Sequence, residues 1–157
     1  MDNDPLVLAH ARGLLASTPE GACDYLDADL REPATILDAA VGLLDFTQPI
    51  ALMLTGIMGH FTDEEAQPIV SRLLDGSYFA LYDGANVNEG FNQAQRGYDE
   101  SGAVPYYLRS PEQFARFFEG LELVEPGVVP VPHWRPDPGS YGQPAEIYSY
   151  CGVARKR

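Results

Sequence analysis

Two apolar runs constrain the fold of this chain more than any other feature of its sequence. Residues 49–55 (PIALMLT) are apolar on both faces of the strand that they would form, and residues 77–82 (SYFALY) give a second buried-strand pattern. Continuous apolar strands are typical of parallel sheets that are covered by helices on both faces. Residues 49–55 are therefore expected to form a central parallel strand.

Helical patterns alternate with strand patterns along the rest of the chain, which predicts an α/β fold with a mostly parallel sheet. Helix starts are indicated by Asp4 before Pro5 and by two capping boxes, Thr62 with Glu65 and Ser110 with Gln113. Helices are predicted over residues 5–15, 33–44, 63–75, 89–100 and 111–118. Further strands are predicted over residues 23–26, 121–124, 128–131 and 147–153, and a loop over residues 140–144.

Length and charge limit the class of protein. The chain has 157 residues, of which 45% are hydrophobic, so one globular domain over residues 1–157 is expected. Ten basic and 23 acidic residues give a net charge of −13, which argues against nucleic acid and anionic membranes as partners. The N-terminus lacks the pattern of a secretory signal, and Cys23 and Cys151 are interpreted as reduced thiols, so a cytoplasmic location is expected.

Acidic residues stand where the predicted strands end, which is where doubly wound folds bind their ligands. Asp2 and Asp4 come first, and Asp27 and Asp29 follow the next predicted strand. A carboxylate at such a position accepts hydrogen bonds from ribose hydroxyls, and a second one can accept from an adenine amino group. The spacing suits an adenosine-containing cofactor. The alternative is that Asp4 only caps a helix and that Asp27 and Asp29 are solvated turn residues.

Catalytic motifs are few. The chain has no GxGxxG or Walker A phosphate loop, no metal-ligand spacing and no GxSxG nucleophile elbow, so no metal site is expected. His60 follows the predicted central strand, where a substrate would lie, and is a candidate general base. The alternative is a loop histidine that hydrogen-bonds to the backbone or caps the next helix.

Several long runs resemble a bacterial family of S-adenosylmethionine-dependent methyltransferases whose substrate is uncharacterised. These runs are DNDPLVLAHARGLLAS, DADLREP, ALMLTGIMGHFTDEEA, ALYDGANVNEGFNQAQRGYDESGA, LRSPEQFARFFEGLELVEPGVVPV and HWRPD, and together they cover essentially the whole chain. The resemblance implies a Rossmann-like class I methyltransferase fold, a three-layer sandwich with a mostly parallel sheet and an antiparallel last strand.

The resemblance also implies positions for the site. S-adenosylmethionine would be held through its ribose by Asp2 and through its adenine by Asp29 with Leu30, or by Asp27 with Ala28 in the alternative register. Its methionine part would lie beside Gly56, Ile57 and Met58. His60 and Phe61 would line the methyl-acceptor side, and the substrate pocket would be covered by Tyr82, Asp83 and the helix after Asn86.

One departure from the family pattern concerns the N-terminus. Class I methyltransferases have a Gly-rich loop after their first strand, and this chain begins at what would be the end of the second strand, so an N-terminally truncated domain is expected. The leading hypothesis is methyl transfer from S-adenosylmethionine to oxygen or nitrogen of a small molecule. The alternatives are a non-catalytic remnant that binds cofactor weakly or not at all, with a possible homo-oligomer through its sheet edges, and a nicotinamide-cofactor fold.

Overall fold

The computed structural model describes residues 1–70, 75–137, 139 and 146–157. The chain forms two compact units, Met1–Gln48 (unit 1) and Pro49–Arg157 (unit 2). The expected single domain over residues 1–157 stays a prediction. The predicted helical continuation over residues 71–74 and the predicted loop over residues 140–144 lie outside the described residues.

Unit 1 contains two helices, α1 (Pro5–Leu14) and α2 (Pro33–Ala40). The carboxylate of Asp4 caps α1 by accepting a hydrogen bond from the backbone N–H of Leu6 at 2.7 Å. This agrees with the predicted helix start, because a short acidic side chain can satisfy the first free N–H groups of a helix.

The strand predicted over residues 23–26 is wrong. The chain makes only an isolated parallel bridge between Asp2 and Asp27, in which Asp2 N–H donates to Leu26 O at 3.2 Å and Ala28 N–H donates to Asp2 O at 3.1 Å. The ladder does not continue because the capping turn at Asp4 follows Asp2 almost at once. No extended partner therefore remains for residues 23–26.

Unit 2 contains a five-stranded sheet. The strands are β1 (Ala51–Thr55), β2 (Tyr78–Gly84), β3 (Glu122–Leu123), β4 (Val129–Pro130) and β5 (Ser149–Arg155). β1 pairs with β2 in parallel, while β5 runs antiparallel to β2 on one side and to β3 and β4 on the other. The first four strands therefore share one direction, and the predicted mostly parallel sheet with an antiparallel last strand is confirmed.

The strand that was expected to be central, β1, lies at an edge of this sheet, and its outer edge pairs with no strand among the described residues. Met53 in its middle is 66% exposed, so β1 is not buried on both faces. β2 also alternates between buried and less buried positions. The core of unit 2 is built mainly from Leu54, Phe79, Leu81, Phe114, Phe117, Phe118 and Ala154.

Among the described residues of unit 2, three α-helices accompany the sheet: α3 (Asp63–Val70), α4 (Glu89–Glu100) and α5 (Pro111–Ala115). Both predicted capping boxes are present. Thr62 N–H donates to the Glu65 carboxylate at 2.9 Å, and the reciprocal bond from Glu65 N–H to Thr62 Oγ1 measures 3.4 Å. Of the helices that the structure describes, none has both the length and the apolar character of a membrane span.

Candidate functional site

The chain turns sharply where β1 ends, next to the end of the parallel strand β2. Gly56 N–H donates to Tyr82 O at 2.8 Å, and Gly56 has φ 68°, a left-handed conformation that glycine adopts without steric cost. A short 3₁₀ helix follows at Met58–His60. We refer to residues 56–61 as the β1 turn. It lies at the carboxyl ends of parallel strands, the position at which α/β sheets bind ligands.

A buried carboxylate at the end of β2, that of Asp83, is hydrogen-bonded to the β1 turn. Asp83 is only 3% exposed, and its two oxygens accept hydrogen bonds from Gly59 N–H and Gly84 N–H, both at 3.0 Å. Burial raises the pKa of Asp83, although these N–H donors and the nearby Arg109 charge oppose the shift. The predicted residue Asp83 is therefore an internal anchor of the turn.

Arg109, which the sequence did not point to, is hydrogen-bonded to two carbonyl groups of the same turn. Arg109 is 5% exposed and donates from Nη1 to Met58 O at 2.8 Å and from Nη2 to Phe61 O at 2.6 Å. Its Nε donates to Asp63 Oδ1 at 2.7 Å, and its guanidinium lies 5.0 Å from the centre of the Phe117 ring. No sequence signal identified Arg109, because an isolated arginine is usually a surface residue.

His60 projects from the β1 turn toward the segment that precedes Arg109. Its Nδ1 lies 3.0 Å from Pro105 O, and its ring packs edge-on against Tyr106 with centroids 5.0 Å apart. A backbone carbonyl can only accept a hydrogen bond, so Nδ1 must carry the proton. In the neutral ring the lone pair then resides on Nε2, which is the arrangement that a general base requires.

The other side chains predicted for the acceptor and cofactor sides differ in accessibility. Met58 is fully buried and Phe61 is only 3% exposed, so neither residue offers surface to a ligand in this structure. Ile57 is partly exposed, and Tyr82 is 42% exposed beside Gly56. The structure thus brings the predicted residues of the β1 turn and of the end of β2 together. Their roles toward a ligand stay predictions.

A cavity of about 330 Å³ lies between α4 and the segment that contains Tyr106. Its walls are formed by Asn86, Asn92, Gln95, Arg96, Asp99, Tyr106, Tyr107 and Leu108. Asp99 Oδ1 accepts hydrogen bonds from Gln95 Nε2 at 2.9 Å and from Tyr106 N–H at 3.2 Å. Asn92 Oδ1 is shielded from solvent and accepts no hydrogen bond from the described part of the chain. Tyr106 thus borders both this cavity and His60.

The acidic residues predicted to hold an adenosine group lie together in unit 1. Asp29 accepts hydrogen bonds from Asn3 Nδ2 at 3.3 Å and from Arg31 N–H at 2.8 Å, while Asp2 accepts one from Asp4 N–H at 3.0 Å. Asp27 pairs with Asp2 through the backbone, and its side chain is exposed. Carboxylates accept hydrogen bonds and donate none, so this set fits ribose hydroxyls and an amino group.

Leu30 and Ala28, the two apolar residues predicted to lie at the adenine, differ in burial. Leu30 is buried, whereas Ala28 is partly exposed and takes part in the bridge to Asp2. Partial burial and then the charge of Asp2 raise the pKa of Tyr25, so this phenol also lies close to Asp2. Tyr25 is a second residue that the sequence analysis did not single out.

Comparisons with known proteins agree with this fold. The chain is similar to the crystal structure of a DUF574-family protein from Streptomyces avermitilis MA-4680, with 42% identity and a TM-score of 0.89 over 99% of this chain and 63% of that one. It is also similar to a candidate methyltransferase from Thermobifida fusca YX, with 31% identity and a TM-score of 0.83 over 99% of this chain and 61% of that one. It therefore spans about three fifths of each of these solved chains.

The comparisons also define the family. No curated protein matches the chain. The sequence pattern of the S-adenosyl methyltransferase family matches it over residues 1–157. The two similar solved structures, at 42% and 31% identity, share the fold of this chain over the matched part. The chain belongs to the S-adenosyl methyltransferase family.

Proposed function

We propose that the protein transfers the methyl group of S-adenosylmethionine to an oxygen or nitrogen atom of a small molecule. Family membership supports the use of this cofactor. The observation that carries the proposal is the geometry of His60: a lone pair on Nε2, imposed by the contact between Nδ1 and Pro105 O, on a turn at the carboxyl ends of β1 and β2.

In unit 1, the carboxylates of Asp2, Asp27 and Asp29 would accept hydrogen bonds from the ribose and the adenine amino group. The resemblance to the family assigns Gly56, Ile57 and Met58 of unit 2 to the methionine part, and of these Met58 is fully buried. When bound, S-adenosylmethionine supplies an electrophilic methyl group.

The chain's own residues would position the acceptor and receive its proton. Methyl transfer is a displacement, so catalysis comes mainly from holding the acceptor in line with the methyl carbon. Nε2 of His60 would receive the proton of the acceptor's O–H or N–H group as that atom takes up the methyl group, and the electron pair of the broken carbon–sulfur bond would stay on the sulfur of the cofactor. The proposed place for the acceptor is the side of the β1 turn on which His60 lies. The neighbouring cavity shares Tyr106 with that place but is not lined by His60.

The surroundings favour a small polar acceptor in the cytoplasm. The net charge of −13 would repel a nucleic acid, and the sequence has no long run of basic residues to offset it. The cavity of about 330 Å³ has the size of a small-molecule site. Cys23 and Cys151 are free thiols, as is usual in a reducing compartment.

Titration calorimetry with S-adenosylmethionine and with its demethylated product, S-adenosylhomocysteine, tests this proposal. Micromolar binding of both by the 157-residue chain supports an enzyme. Absence of binding favours the alternative of a non-catalytic remnant, because methyl transfer requires the cofactor to be bound.

A further inference from the structure

We propose that Arg109 is a positioning residue that holds His60 in the orientation required of a general base. This inference rests on the proposed function. Arg109 contacts the two carbonyls that flank His60 along the chain, those of Met58 and Phe61. It therefore acts through the backbone that carries the imidazole.

The segment of residues 105–109 contacts the β1 turn at several points. Pro105 O lies 3.0 Å from His60 Nδ1, and Tyr107 N–H donates to Gly59 O at 2.6 Å. Arg109, two residues further on, adds its two bonds to Met58 O and Phe61 O. The main chain of this segment thus orients the imidazole of His60. The guanidinium fixes the position of the β1 turn, which carries that imidazole.

The guanidinium is suited to this task by its shape. Its Nε, Nη1 and Nη2 each have a separate acceptor, and Phe117 supports one flat face. The rigid planar fork of arginine makes such divergent bonds at once, whereas a lysine ammonium is a single point of charge on a flexible stem. Loss of the fork removes a charged donor from each of two buried carbonyls, Met58 O keeping only the weaker bond from Phe61 N–H at 3.2 Å, so the turn loses its tie to the Arg109 side chain.

Nitrogen NMR of His60 in the 157-residue chain tests the inference directly, because Nδ1–H and Nε2–H tautomers have different signals. We expect the wild type to show the Nδ1–H form at a pH where the ring is neutral. Arg109→Met should increase the Nε2–H form and, because the same turn carries Gly56 and Ile57 of the proposed cofactor site, weaken S-adenosylmethionine binding about tenfold. Arg109→Lys should restore part of both, and the control Arg157→Met, which removes an exposed ion pair with Glu122, should change neither.

Two outcomes overturn the inference: a folded Arg109→Met protein that keeps the wild-type tautomer, or an Arg109→Lys protein no closer to the wild type than Arg109→Met. If Arg109→Met does not fold, Arg109→Lys decides alone, since a partial tautomer shift is expected there and an unchanged tautomer contradicts the role. The tautomer is measured without cofactor. Failure of the wild type to bind S-adenosylmethionine would therefore contradict the proposed function while leaving the Arg109 test intact.

Discussion

Gly59 and Tyr106 pack so closely that a Cβ atom on residue 59 would overlap the phenol ring. Gly59 does not have a positive φ, so its lack of a side chain serves this close approach and not an unusual backbone conformation. The contact matters for the site, because Gly59 precedes His60, and because Tyr106 packs against the imidazole.

Gly59→Ala should therefore destabilise unit 2. We expect a loss of about 1–3 kcal/mol in the free energy of unfolding, because the added methyl group displaces the Tyr106 ring from a packed position. Urea denaturation of the wild type and the variant measures this loss. The matched control is Gly97→Ala in the exposed middle of α4, where a Cβ atom meets nothing within 4 Å, and which should gain roughly 0.5–1 kcal/mol.

A double variant separates the overlap from other effects at residue 59. If the Tyr106 ring is the obstacle, Gly59→Ala should cost less in a Tyr106→Ala background than in the wild type. An equal cost in both backgrounds would show that the ring is not the cause.

Asp83 predicts a specific dependence of stability on pH. Because burial raises the pKa of its carboxyl above the ordinary 3.8, the folded protein holds this proton more tightly than the unfolded chain does. The resulting stabilisation is complete below the ordinary pKa and is lost as the pH rises through the raised value. The free energy of unfolding of the wild type relative to Asp83→Asn should therefore fall as the pH rises from about 3, and then level off.

Asp45 provides the control of opposite sign. A hydrogen bond from the Thr47 hydroxyl lowers the pKa of the Asp45 carboxyl, so its contribution is present above 3.8 and is lost as the pH falls through the lowered value. The same measurement on Asp45→Asn should give the reverse slope. A flat difference curve for Asp83→Asn would mean that the N–H donors and Arg109 cancel the effect of burial.

Asp2→Asn should weaken S-adenosylmethionine binding about tenfold or more, because a charged acceptor of a ribose hydroxyl is replaced by a neutral amide. Calorimetry on the purified variants measures the change. Asp38→Asn, a substitution in α2, is the control and should bind as the wild type does. Unchanged affinity in Asp2→Asn would remove Asp2 from the proposed cofactor site.

His60→Ala should lower turnover by roughly 10²–10⁴-fold while leaving the affinity for S-adenosylmethionine unchanged, because the lost group receives a proton and does not hold the cofactor. Release of S-adenosylhomocysteine, followed with an acceptor selected from a panel of small phenols and amines, measures turnover. His10→Ala, on an exposed position of α1, controls for loss of a histidine elsewhere. Equal turnover in His60→Ala and His10→Ala would refute the role of His60.

Local features of this chain were accessible from its sequence because they depend on neighbouring residues. Both capping boxes and the bounds of α4 follow from short-range hydrogen bonding and helical spacing. The mostly parallel sheet was predicted from the alternation of helical and strand patterns, and the antiparallel last strand was implied by the resemblance of long runs to a known family. The misplaced elements are those that depend on a distant partner: residues 23–26 form no strand, the only bridge nearby being that of Asp27 to Asp2, and β1 lies at a sheet edge.

The sequence by itself determined the family, the order of most elements and the position of His60 after an apolar strand. Only the tertiary structure decided what surrounds His60, because its partners are distant in the chain: Pro105 is 45 residues away, and Arg109 reaches back 51 residues to Met58. Such contacts leave no local pattern. Three features therefore become visible only when the folded chain brings these segments together. They are the buried Arg109, the Pro105 carbonyl that selects the His60 tautomer, and the close packing of Gly59 against the Tyr106 ring.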